Sequence, residues 1–156
     1  MRGGPMIRMR KHGARYAAAA ALGIVALGGA RRLLSTVNVR GGSMNPTLLH
    51  DDVLLVLKHV RRCRPGRIVV VQRPDSHAGW SGPLGQRESD GYFVKRVVAV
   101  AGEPVPPWVP EAQRVVPPRM LVLRGDHSDS QDSRMWGFCP QDRMYGVMLF
   151  RLPGRR

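Results

Sequence analysis

Two residues far apart in the chain carry the types and settings from which chemistry can be built. Ser43 stands in Gly41-Gly42-Ser43-Met44-Asn45-Pro46-Thr47-Leu48, and Lys95 in Tyr92-Phe93-Val94-Lys95-Arg96-Val97-Val98-Ala99-Val100. A serine hydroxyl attacks a carbonyl at neutral pH only if a neighbouring base takes its proton. Lysine can be that base where burial disfavours its ammonium form, whereas arginine stays protonated. The chain holds twenty-two arginines beside only three lysines, so a lysine kept inside an apolar run stands out.

Taken singly, neither residue is decisive. A glycine-flanked serine is commonly a turn residue, and a lysine can close a strand at the surface. The surroundings say more. Gly41 and Gly42 permit positive φ and close approach of a bound chain, and Pro46 fixes the following turn, so Ser43 projects from a rigid corner. Its backbone N–H could face the oxygen of an attacked carbonyl. If strand alternation holds through the second segment, Phe93, Lys95 and Val97 share one face. Arg96 then turns to the opposite face, toward solvent or a carboxylate.

A third polar segment runs Gly125-Asp126-His127-Ser128-Asp129-Ser130-Gln131-Asp132-Ser133-Arg134. The spacing of Asp126, Asp129 and Asp132 does not fit an EF-hand calcium loop. His127 invites a Ser-His-Asp triad, but a histidine in a polar loop is more commonly a capping or solvated residue. No cofactor and no metal are expected.

These segments need a scaffold, and the composition bounds it. The 156 residues suit one domain, and 13 prolines with 18 glycines favour turns over long helices. The net charge of +14 attracts anionic lipid, nucleic acid or acidic surfaces, or else reflects Arg replacing Lys over a solvated surface. No basic helix with interleaved aromatics and no zinc or recognition-helix spacing is present, so nucleic acid is not an expected partner. Cys63 and Cys139 are too few for a disulfide framework; two buried free thiols are expected, with one bridge as the alternative outside the cytoplasm.

Residues 1–15 are basic, and the first fifty residues contain no acidic side chain. Residues 16–30 are uncharged and would span only about 22 Å as a helix, against a hydrocarbon thickness of about 30 Å. Flanking arginines can snorkel and Leu33-Leu34 can lengthen the buried stretch, so residues 16–34 are expected to be an uncleaved membrane anchor. A cleaved export signal and a transit peptide are the competing readings. The basic residues before the span place the N-terminus in the cytoplasm.

Beyond residue 34, strands are expected at 35–40, 53–57, 68–71, 93–101, 120–123 and 144–152, with a surface loop at 73–91 and a proline-heavy connection at 104–118. Short strands between turns give a mainly β fold: one compact β-domain, residues 35–152, behind one N-terminal helix.

The three segments together, in this order, resemble the type I signal peptidase family, membrane-bound serine proteases with a Ser/Lys dyad. The likeness also takes in Trp136-Gly137-Phe138 and covers about residues 17–152. It implies Ser43 as nucleophile, Lys95 as general base, Ser130 as the residue orienting the lysine, and Asp132 with Arg134 as a structural ion pair. It places Gly41, Gly42 and Met44 at the substrate groove. Glycine at position 41 matches Gram-positive and mitochondrial members rather than Gram-negative ones, which carry a serine there. His127 replaces the usual asparagine, and residues 102–123 are too short for the large second domain of Gram-negative enzymes.

The implied partners are precursor proteins bearing signal peptides, and membrane lipid. The implied location is a bacterial cell membrane with the β-domain outside, or alternatively a mitochondrial inner membrane. A dedicated maturation protease with few clients and a non-catalytic membrane-attached binding protein are the other readings.

Overall fold

The computed structural model describes residues 29, 32–60, 62–75, 79–80 and 91–152. The chain divides into two units, Met1–Leu33 and Leu34–Arg156. The expected anchor, residues 16–34, lies almost wholly outside the described residues, as does most of the expected loop at 73–91. Among the described residues no helix is long and apolar enough to cross a membrane.

The second unit is mainly β. Its strands are β1 (Leu34–Asn38), β2 (Val53–Lys58), β3 (Ile68–Gln72), β4 (Tyr92–Val100), β5 (Met120–Arg124), β6 (Cys139–Pro140) and β7 (Met144–Leu152). They form one seven-stranded sheet in the order β1-β2-β7-β3-β4-β5-β6. Every neighbouring pair is antiparallel.

The sheet buries apolar residues on both faces, and β3 shows why. All five of its residues are buried, as its unbroken Ile-Val-Val-Val run requires. Ile68 and Val70 join a cluster with Met44, Leu48, Leu54 and Val56. Val69 and Val71 face the other way, toward Val97, Leu121, Leu123 and Cys139. The alternation carries across to β4, where Tyr92 and Val94 pack on the first cluster and Phe93 and Val97 on the second. Lys95 is registered opposite Val69, so the pleat sends it inward between Phe93 and Val97. A shift of pairing between Val97 and Ala99, where β4 meets β5, bends the strand just beyond the lysine.

Three local features depart from the sequence expectation. The polar segment does not stay a loop to Arg134, because a short helix, α1 (Ser133–Trp136), begins inside it with Asp132 as its N-cap. The proline-heavy connection folds back on itself: Pro104 bridges Val115, and Val105 N–H donates to Arg114 C=O. Val109 and Val116 of this strap bury against Ala99, Val122 and Phe138, forming a third cluster. Both cysteines are free, but only Cys139 is buried; Cys63 is partly exposed.

Candidate active site

The site begins where β1 runs out. Gly41 at φ 82° turns the chain, a conformation glycine adopts without strain. Its N–H donates to His50 Nδ1 at 3.0 Å. The next turn is closed by Asn45 N–H to Gly42 C=O at 3.0 Å and by Leu48 N–H to Met44 C=O at 2.9 Å. Met44 and Leu48, each 1% exposed, anchor the turn in the core. Ser43 lies between these buried anchors and the glycines, partly exposed.

Lys95 is 1% exposed. Its Nζ donates to Ser130 Oγ at 2.9 Å and lies 4.9 Å from the Phe93 ring centroid. Phe93 in turn stacks on Trp136 of α1, with centroids 5.6 Å apart and planes 11° from parallel. This aromatic wall covers one side of the amine. Burial drives the lysine pKa down from 10.5 to about 8; the Asp132 carboxylate opposes that shift and the Arg134 guanidinium adds to it. Ser130 Oγ accepts from the lysine and donates to Gln131 C=O at 3.4 Å. A neutral Lys95 that keeps donating to Ser130 therefore holds its lone pair free to take a proton from elsewhere.

The loop carrying Ser130 is tied by Asp132, which is wholly buried. One carboxylate oxygen accepts from Arg134 Nε at 2.9 Å and from Arg134 N–H at 3.1 Å. The other accepts from Gly125 N–H and from an Arg134 terminal nitrogen, each at 2.9 Å. Burial alone would raise this carboxyl, but the Arg134 and backbone hydrogen bonds overcome it and hold its pKa below the ordinary value. Arg134 also donates to the carbonyls of Ser128 at 2.7 Å and Ser130 at 3.0 Å. The pair thus braces the loop rather than merely neutralising charge.

A second ion pair joins the three segments. On the β4 face opposite Lys95, Arg96 grips Asp126 through contacts of 2.9 and 2.6 Å. It also reaches Thr47 Oγ1 at 3.4 Å, in the turn after Ser43. The guanidinium holds the Asp126 carboxyl below its ordinary range. His127 N–H completes the junction by donating to Ser43 C=O at 3.1 Å.

Two cavities meet at Ser43. The first, about 470 Å³, is walled mainly by apolar and aromatic residues and lies between Thr36–Val39 of the β1 segment and Tyr92–Val94 of β4, with Met44, Val70 and Tyr145 in its walls. The second, about 460 Å³, is lined mainly by polar and charged residues with two glycines: Gly41, Gly42, Ser43, Lys95, His127 and Ser130, among others. Ser43, Lys95, Ser130, Gly41 and Gly42 therefore border one space, and Met44 borders the space on the other side of Ser43. Asp132 and Arg134 stand behind Ser130. No hydrogen bond joins Ser43 Oγ to Lys95 Nζ among the described residues, a looseness common in catalytic pairs before substrate binds.

Sequence reasoning gave no role to four residues that hold this arrangement. Gly125 is one: a Cβ there would lie 2.5 Å from Ser43 C=O and would overlap the Ser130 side chain. Ser133 is another, its buried Oγ accepting from Leu123 N–H at 2.9 Å and so fixing α1 to β5. Trp136 backs Phe93, and His50 steadies Gly41. The Gly-Asp and Trp-Gly pairs were visible as motif positions, whereas nothing in the sequence marks His50.

The model of the family described as signal peptidase, peptidase S26, matches residues 12–107 and 105–152. A probable signal peptidase I-1 of Synechocystis sp. is 31% identical over 134 residues, covering 70% of this chain. The chain spans 66% of that relative's length. With the family model matching most of its length, this chain belongs to the signal peptidase, peptidase S26 family.

Proposed function

We propose that the protein is a membrane-anchored serine endopeptidase that removes signal peptides from translocated precursor proteins, with Ser43 as nucleophile and Lys95 as general base. The observation that carries this reading is a lysine 1% exposed, lowered to about 8 by burial, bordering the same cavity as a serine on a glycine turn.

The chemistry follows from those residues. Neutral Lys95 takes the Ser43 proton as Oγ adds to the scissile carbonyl, and the Ser43 N–H is the donor available to the oxyanion. The Gly41 N–H is already committed to His50. The resulting ammonium passes its proton to the departing amine. Lys95, neutral again, then activates the water that cleaves the acyl-enzyme. Ser130 orients the amine throughout, and Asp132 with Arg134 keeps Ser130 in place.

The groove supports an extended substrate. Among the described residues β1 is an edge strand paired with β2 alone. Among them, too, β4 pairs with β5 from Arg96 onward, leaving one side of residues 92–95 without a strand partner. A precursor segment can add as a strand along these edges, its alternate side chains entering the apolar cavity. Walls formed by Val39, Met44 and Val94 suit small aliphatic side chains before the cut. The anchor proposed at residues 16–34 would hold the enzyme where membrane-bound precursors are concentrated. A bacterial cell membrane, with the β-domain outside, is the location this reading favours.

The test is cleavage of a signal-peptide reporter by the detergent-solubilised full chain. Cleavage after a small residue, lost in both Ser43→Ala and Lys95→Ala, supports the reading. An intact reporter with folded wild type would remove it in favour of a binding role or a dedicated client.

A further inference from the structure

The two cavities share Ser43 but differ in the residues around them: mainly Val, Met and aromatic residues line the first, and mainly polar and charged ones, Lys95 and Ser130 included, line the second. A chain lying across Ser43 with its leading residues in the apolar cavity must send the residues after the cut toward the polar one. His127 is one of several donor-bearing residues lining that space, with Arg40, Asn45 and Gln131 among the others, and it is the one bonded to the nucleophile's own residue. Its backbone N–H holds Ser43 C=O at 3.1 Å, which fixes the residue beside the nucleophile. Its Nδ1 accepts from Asp129 N–H at 3.2 Å. That bond sets the neutral ring's tautomer, because an accepting Nδ1 leaves the ring proton on Nε2.

We propose that the polar cavity is the subsite for the mature side of the precursor, and that His127 Nε2–H donates to a backbone carbonyl of the residues just after the cut. This rests on the peptidase reading above. The ligand class is an extended peptide of any sequence, since a contact to the backbone reads chain length and not side chains. His127 is a positioning residue here: it holds the leaving half of the substrate in line while Lys95 moves the protons.

The test compares two substrates of the full-length enzyme sharing one signal sequence. One continues for several residues past the cut; the other ends there in a p-nitroanilide. The readout is the ratio of their kcat/KM values. His127→Ala should lower that ratio about three- to tenfold, the value of one neutral hydrogen bond. His127→Gln, whose amide nitrogen reaches near the Nε2 position, should recover part of it. His127→Asn, which can still accept from Asp129 N–H but carries no donor at Nε2, should behave like alanine.

A ratio unchanged in all three variants overturns the inference, even if both rates fall together, since that pattern belongs to a role confined to the loop. Recovery by Asn but not Gln overturns it for the same reason. A folded wild type that cuts neither substrate overturns the peptidase reading and this inference with it.

Discussion

Lys95 Nζ and Ser130 Oγ are joined at 2.9 Å in a space where the lysine is 1% and the serine 6% exposed. The bond gives the buried amine a hydrogen-bond acceptor, and the serine's own proton turns to Gln131 C=O. Ser130→Ala removes that acceptor. A hydrogen bond to a charged group is worth about 1.5–3 kcal/mol, so kcat/KM should fall about ten- to a hundredfold. The lysine pKa should fall further, because the ammonium form loses its partner. Ser130→Thr should restore part of both. Kinetics that leave Ser130→Ala at the wild-type rate would show that the amine is oriented by something else.

Burying Lys95 has a stability cost with a defined pH window. Its folded pKa, about 8, lies below its ordinary 10.5. Between those values the unfolded chain binds a proton that the folded chain does not, so stability rises with pH there. The destabilisation is full below about 8 and is lost as pH approaches 10.5. Lys95→Met should therefore be inactive but more stable than wild type by about 1–3 kcal/mol at pH 7. The gain should shrink by pH 10. Denaturant unfolding of both proteins at the two pH values reads this directly, and a destabilised Lys95→Met would mean that Ser130 and Asp132 repay the burial.

Asp132 acts on the site in two ways. Its buried carboxylate ties Gly125 and Arg134 together, and its charge favours the Lys95 ammonium. Asp132→Asn should cost about 3 kcal/mol, as when a buried ion pair loses one partner. The surviving activity should extend to lower pH, because the lysine has lost its attracting charge. Because this carboxyl is held below its ordinary pKa, its contribution in the wild type is present above the ordinary carboxylate range and is lost as pH falls through the folded value. Equal unfolding midpoints for the two proteins near neutral pH would argue against the brace.

Gly125 separates the nucleophile's carbonyl from Ser130. Gly125→Ala places a methyl against both, and one of the crowded atoms is backbone, which cannot swing aside. Activity should fall at least about a hundredfold, with a stability loss of about 1–3 kcal/mol. An active, stable Gly125→Ala would mean that the loop has room to shift.

The strand bearing Lys95 was legible because period-two alternation fixes which side chains share a face. That pattern put Phe93, Lys95 and Val97 together and sent Arg96 to the far side, where it meets Asp126. The buried strands β2, β3 and β5 were readable instead as short unbroken apolar runs between turns. What escaped depends on contacts between distant segments. Ser133 accepting from Leu123, and His50 from Gly41, leave no periodic trace. The strap over Val122 and Phe138 was hidden because prolines mark a turn without saying where the chain returns. Helix α1 is four residues long, too short for a helical period to show.

The central claim is that a neutral, buried Lys95 is the base for Ser43, and the most direct measurement is kcat/KM for a signal-peptide substrate against pH. A rise through a single ionisation near 8 is expected, reaching a plateau above it, with no activity at any pH in Lys95→Arg, which cannot give up its proton. A profile that instead rises near 6.5, the ordinary histidine value, with activity surviving Lys95→Arg, would contradict it.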